Sequence, residues 1–337
     1  MRASDCFLNP AEAARRLGVS AKALRLYEQH GLVAPPRTAA GWRAYGPDQM
    51  ARAGEIVALR ALGLSLARIA DVLGGDAQAL EPALAAHQTA LEGQVRQLVG
   101  AVDRVRDLRA GLARGQALEA GDLAGLLAPT AGPSVAFDLP WPWGGERFEL
   151  RDIGPLTFLT GPLGSGKTRL ALRLAERLPG ATFLGLDRAA ANDVSDPGHA
   201  ARVEDALAWL VEDGATASEA LRVLLIALEA EGSAALVIDM PEQGLDQVTQ
   251  EALVSHLRRR GPEARPLFLL TRSSAILDLA AVGRGETILY CPANHGPPIR
   301  VAPYPGASGY EAVAGCLASP DVRARTEGMI AVMSRAG

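Results

Sequence analysis

Residues 156–174 read LTFLTGPLGSGKTRLALRL. An apolar run rich in strand-forming residues meets a glycine-rich turn, and the turn opens a segment with helical spacing of its leucines. Gly161, Gly166, Lys167 and Thr168 stand in the order GxxxxGK[ST] between that strand and that helix. The residue types suit phosphate binding. Glycines let backbone N–H groups close on an anion, Lys167 reaches the outer phosphate oxygens, and the Thr168 hydroxyl can ligate Mg²⁺. Gly164, Ser165 and Arg169 complete the expected phosphate-loop set.

Working outward, residues 234–246 read AALVIDMPEQGLD, an apolar strand ending at Asp239, an acid placed to orient Mg²⁺ with Thr168. From residue 134 onward strand and helix patterns alternate, so an α/β P-loop domain is expected over 134–337. Pro241, Gly244, Leu245 and Asp246 resemble the D-E-P-x-x-G-L-D stretch of ABC-type ATPases, and RPLFLLTRSSAILDL (265–279) resembles their switch region. The resemblance implies ATP and Mg²⁺ as cofactors. It also exposes departures. Met240 stands where the water-polarising glutamate is usual, Arg272 where the switch histidine is usual, and GATASEALRV (214–223) matches the signature stretch only at Thr216. Methionine accepts no proton, so hydrolysis is expected to be weak or absent, with Glu242 or another acidic group the alternative base. Trp141 is taken as the adenine-stacking aromatic, with Trp143 and Phe137 as competitors and core packing open to all three. The stretch after residue 290 carries no motif with a physical reading.

The other end of the chain has a different grammar. Asn9-Pro10 caps a short helix stopped by Gly18, and Ser20 caps a second, AKALRLYEQH, which stops at Gly31. That is a helix-turn-helix pattern, followed by a Pro- and Gly-rich hairpin wing with Trp42 and Tyr45 and then two further helices. The motifs LGVS, ALRLYEQHGL, GWRAYG and ALRALGLSLARIADVL, in order within residues 9–73, resemble the MerR family of transcriptional regulators across its DNA-binding domain. Lys22, Arg25 and Tyr27 on the second helix, with Arg43 and Tyr45 on the wing, are the expected DNA contacts; simple packing is the alternative for Tyr27. The resemblance implies a dimer that bends a pseudo-palindromic promoter, with RNA polymerase a candidate partner. Metal-sensing members carry cysteines near the dimerisation helix, whereas residues 76–133 contain none, so sensing of that kind is not expected.

Between the two ends, Leu84, Leu91, Leu98, Val105 and Leu112 recur every seventh residue, with Val95 and Val102 interleaved. This heptad seam predicts one long helix pairing with a second copy, even with Gln88 and Arg109 on the seam. Charge follows the same division. Residues 1–75 hold ten basic against six acidic side chains, while the remainder holds 24 against 32. A basic head on an acidic body confines nucleic-acid contact to the N-terminal end. Lys22 and Lys167 are the only lysines among the 34 basic residues. The arginine bias leaves Lys167 at a position where a compact ammonium is needed.

With 48% hydrophobic and 21% charged residues the chain should fold, and it has no apolar run long enough to span a bilayer. MRASDCFLNPAEAARR lacks the apolar core of a secretory signal, and Cys6, Cys291 and Cys316 are too far apart for a disulfide framework. A cytoplasmic multidomain protein is expected. It comprises a winged helix-turn-helix (1–75), a coiled-coil dimerisation helix (76–115), a linker (116–133) and the P-loop domain (134–337). The functional expectation is a DNA-binding regulator controlled through bound ATP; the alternative is an active, DNA-targeted ATPase of the repair or chromosome-handling kind.

Overall fold

The structure is a computed structural model that describes residues 7–113, 133–188, 196–261, 264–283, 285–320 and 322. The head begins with α1 (Pro10–Leu17), closed by a capping box in which Asn9 and Glu12 exchange side-chain-to-backbone hydrogen bonds of 3.0 and 3.2 Å. Gly18 ends it in the left-handed region, at φ 69°. Ser20 caps α2 (Ala21–Gln29), α3 runs Pro47–Ala61, and Ser65 caps α4 (Leu66–Leu73). Leu24, Tyr45, Ala53, Ile56, Leu66 and Ile69 form the core these helices share. The expected wing is a minimal one. The bridge Arg37↔Arg43 joins its arms, around a turn where Gly41 donates to Thr38 at 2.8 Å, and the bridge Leu8↔Tyr45 ties the second arm to the segment before α1.

A 3-10 turn (Ala77–Leu80) leads into α5 (Glu81–Ala113), 33 residues long. Its apolar stripe is open to solvent in the single chain: Leu84, Leu91, Val95, Val102, Val105 and Leu112 are between 41% and 58% exposed. Leu98 falls outside the side chains described, and the expected linker lies outside the described residues apart from Pro133. No helix among the described residues is long and apolar enough to cross a membrane.

The second domain opens with an antiparallel pair, β1 (Val135–Asp138) and β2 (Arg147–Leu150). The main sheet holds β3 (Leu156–Thr160), β4 (Ala181–Leu184), β5 (Ala235–Asp239), β6 (Leu267–Leu270), β7 (Glu286–Tyr290) and β8 (Ile299–Val301), in the order β4-β5-β6-β3-β7-β8. All its pairings are parallel except β7 with β8. Five parallel strands must be covered on both faces, which explains why β3, β5 and β6 are buried at every position but Asp239. On one face Phe158, Ile238, Leu269 and Ile288 meet α7 (Pro197–Glu212), α8 (Glu219–Glu229) and α9 (Gln247–Arg258). On the other, Leu159, Val237, Phe268 and Leu289 meet α6 (Lys167–Arg177) and the β1–β2 pair. A last short helix, α10 (Tyr310–Cys316), packs Val313 into the first of these cores.

Because β6 lies between β3 and β5, three strand ends converge at one edge of the sheet. They bring together the glycine-rich loop after β3, Asp239 at the end of β5 and Arg272 just past β6.

Candidate functional site

The loop between β3 and α6 closes on its own lysine. Lys167 Nζ donates to the carbonyls of Gly161 (2.9 Å) and Pro162 (2.7 Å) and lies 3.5 Å from Ser165 Oγ. Two glycines are required by close approach. A Cβ on Gly161 would come within 2.3 Å of the Cys291 carbonyl oxygen, and one on Gly166 within 2.6 Å of the Trp143 indole. Gly166 also sits at φ 90° as the N-cap of α6, with no side chain capping the helix. The uncapped N–H groups and the positive end of the helix dipole therefore face the loop, as an anion site requires. Burial and the neighbouring Arg272 guanidinium hold the Lys167 pKa below the ordinary lysine range.

Across the loop, Thr168 Oγ1 donates to Asp239 Oδ2 at 3.3 Å. A hydroxyl and a carboxylate at this separation are hard oxygen donors of the kind Mg²⁺ takes in partial, water-completed coordination. Burial raises the Asp239 pKa, against the opposing influence of Thr168, Arg188 and Lys167. Gly161, Gly164, Ser165, Gly166, Lys167, Thr168 and Asp239 are thus brought together as the sequence suggested. Arg169 is adjacent, its guanidinium 4.7 Å above the exposed Trp141 ring. Of the three aromatics, Trp141 is 71% exposed while Phe137 and Trp143 are buried, so only Trp141 offers a free face at this rim.

Beyond Asp239 the chain turns sharply. Met240 lies in the left-handed region at φ 48°, and the Arg188 guanidinium donates to the carbonyls of both Asp239 and Met240. Sequence reasoning missed Arg188. The one signal was its place just past the end of β4, at the same edge of the sheet. Glu242 is buried, and its Oε1 accepts from the Arg272 backbone N–H at 3.4 Å. It braces the segment after β6. Arg272 keeps its Nε buried with no hydrogen-bond partner among the described residues.

The segment after β7, which had no reading from sequence, forms a wall of this site. His295 Nε2 lies 3.0 Å from the Gly164 carbonyl oxygen, and Gly296 accepts from the Trp143 indole N–H at 3.0 Å. Burial pushes the Cys291 thiol up to about 12, so it is an inert wall rather than a nucleophile. No cluster of His, Cys, Asp or Glu suited to a metal occurs among the described residues.

In the head, Arg25 is exposed, and Lys22 is paired at 2.7 Å with Glu251 of the second domain. Arg43 pairs with Glu28. The two tyrosines depart from expectation. Tyr27 and Tyr45 are 4% and 0% exposed, and the Tyr45 hydroxyl donates to Glu28 at 2.5 Å. Burial raises both phenol pKa values. Tyr27 follows Leu24 by three residues on the inward stripe of α2, which turns its ring into the core.

Residues 8–75 match the model of the MerR HTH family regulatory proteins. A probable heavy metal-dependent transcriptional regulator of Haemophilus influenzae is 32% identical over 106 residues, which cover 29% of this chain and 83% of that protein. The chain belongs to the MerR family. The nodulation protein NolA of Bradyrhizobium elkanii is 36% identical to this MerR-family chain over 101 residues, 30% of the chain and 46% of NolA. The chain thus spans about half the length of that relative. A bacterial Atm1-family ABC exporter with ATP bound overlaps 56% of this MerR-family chain and 43% of its own, at 17% identity and a TM-score of 0.35.

Proposed function

We propose that this MerR-family protein is a transcription regulator whose head reads double-stranded DNA and whose P-loop domain binds Mg²⁺-ATP and hydrolyses it slowly or not at all. One observation carries the reading: a MerR head shares its chain with a phosphate loop whose Lys167, Thr168 and Asp239 are assembled while Met240 occupies the turn after the acid. The α6 N-terminus and Lys167 would hold the phosphates, Thr168 and Asp239 the Mg²⁺, and Trp141 would stack on the base. Bound Mg²⁺ would neutralise phosphate charge. Transfer to water needs in addition a group that accepts a proton, and Glu242 is buried against the Arg272 backbone instead.

For DNA, Lys22, Arg25 and Arg43 are the phosphate- and base-facing cations, with Tyr27 and Tyr45 supporting the helix and wing from within. The open stripe of α5 suits pairing with a second copy, which would present two heads to a pseudo-palindromic promoter where RNA polymerase also binds.

The test is purified protein with ATP and Mg²⁺, following retained nucleotide and released phosphate in the same samples. Retained ATP with negligible phosphate is expected, and K167A should lower nucleotide affinity by at least ~10-fold, the scale of one lost charge-assisted phosphate contact. Steady turnover abolished by K167A would instead make the protein a DNA-targeted ATPase.

A further inference from the structure

The recognition helix α2 touches the P-loop domain near both of its ends. Near its start, Lys22 Nζ lies 2.7 Å from Glu251 Oε1 on α9, which Gln247 Nε2 also holds at 2.8 Å. Just past its end, His30 lies beside Gly214: a Cβ on Gly214 would sit 3.3 Å from His30 Nε2.

A second set of contacts fixes the α3–α4 corner. The Arg60 guanidinium forks onto Asp213 at 2.6 and 3.1 Å, and Asp213 Oδ1 also accepts from the Leu66 N–H at 2.9 Å. Ser65 Oγ donates to Glu212 at 3.0 Å, Arg68 reaches Glu212 at 3.3 Å, and the Trp209 indole donates to the Gly63 carbonyl at 3.3 Å. Glu212 and Asp213 are acids at the C-terminal end of α7, where the helix dipole disfavours them. The Asp213 side chain is fully buried, and burial raises its pKa against the pull of Arg60. Two such acids are tolerated there because the head supplies their cation and donors.

We infer that Glu251 on α9, with Glu212 and Asp213 at the end of α7, holds the DNA-reading head in a masked state, so that DNA must compete with these acids for it. Geometry makes the competition strict. A helix with its side chains is about 10–12 Å across and a major groove about 12 Å wide, so α2 cannot enter a groove while its two ends are held at Glu251 and at the Gly214 turn. Lys22 cannot serve a DNA phosphate and Glu251 together. The inference rests on the DNA-binding reading above, and its test separates the two.

The experiment uses the full chain and the variants E251Q, D213N and E251Q/D213N. E311Q, an exposed glutamate on α10, is the control for the charge change. Small-angle X-ray scattering reads compactness, and fluorescence anisotropy reads affinity for a random-sequence duplex over a series of salt concentrations. The double variant should be more expanded and bind at least ~10-fold tighter. Its salt dependence should be steeper by about one phosphate contact, because Lys22 is released. If D213N impairs folding, E251Q alone carries the test, since it leaves the Arg60 fork intact. Expansion with no more affinity gain than E311Q overturns the masking and leaves the DNA reading standing. Unchanged compactness and affinity overturn it also. Absence of duplex binding by every form, including the expanded one, removes the masking and the DNA reading together.

Discussion

Asp239 carries two opposed demands. As the proposed Mg²⁺ ligand it must be ionised, yet burial raises its pKa and so disfavours that charge in the fold. A carboxyl whose folded pKa lies above its unfolded one costs stability at pH above both values, and the cost fades as pH falls through the folded pKa. D239N should therefore raise Tm by about 1–3 °C at pH 7.5, a gain that shrinks toward pH 4, while Mg²⁺-dependent nucleotide affinity falls at least ~10-fold. Calorimetry and a Mg²⁺ titration across that range check both halves. A lower Tm at pH 7.5 would mean that the Thr168, Arg188 and Lys167 contacts outweigh burial. Lys167, Thr168 and Asp239 were legible in the sequence because each belongs to a short motif whose spacing fixes its place. Arg188 and His295 were not, since each reaches the site from a loop far away in the chain and neither loop carries a motif. Tyr45 turned inward against expectation, and Tyr27 took the packed alternative, because a tyrosine is apolar over most of its surface and here the ring decided its position.

Elements with local stop signals were the easiest to foresee. Asn9, Ser20 and Ser65 cap their helices through bonds within three residues, so the head could be laid out from sequence. The wing needed pairing beyond the local chain and came out as one bridge between its arms and one to Leu8, rather than a ladder. In the second domain the strand and helix succession was legible, but the insertion of β6 between β3 and β5 is a property of the sheet and appears in no local pattern. The α5 helix is the element with most left to show, because its apolar stripe has open faces that a second copy would bury. V95D/V102D places two carboxylates on that stripe and should convert a dimer to a monomer in sedimentation at micromolar concentration. Affinity for a two-half-site duplex should then fall by about 10²–10⁴, the advantage lost when two linked heads no longer act together. A dimer that survives both aspartates would assign pairing to another surface.

Across the whole molecule, one run of contacts joins the edge that carries the glycine-rich loop to the head. Arg272 follows β6 at that edge, and the next residue, Ser273, donates through Oγ to Gln250 on α9 at 2.6 Å. Glu251, the following residue on the same helix, holds Lys22. Asp246, seven residues past Asp239, caps α9 through the Thr249 N–H, and Thr249 in turn accepts from Thr216 near the Asp213 corner. One helix thus has its N-terminal turns tied both to the proposed phosphate site and to the head. If nucleotide prefers one placement of α9, it biases the docking equilibrium by its differential affinity for the two states and by no more. A coupling of about 5–150-fold is the usual range, and linkage requires it to be reciprocal. Mg²⁺-ATP should therefore change duplex affinity by some factor in that range, and duplex DNA should change ATP affinity by the same factor. Isothermal titration of each ligand with and without the other measures both. K167A should remove the ATP effect on DNA, whereas E251Q/D213N should abolish the coupling in both directions because the docked state is no longer populated. Equal factors in wild type that persist in E251Q/D213N would place the coupling outside the α9 contact, most directly in the pairing of two chains.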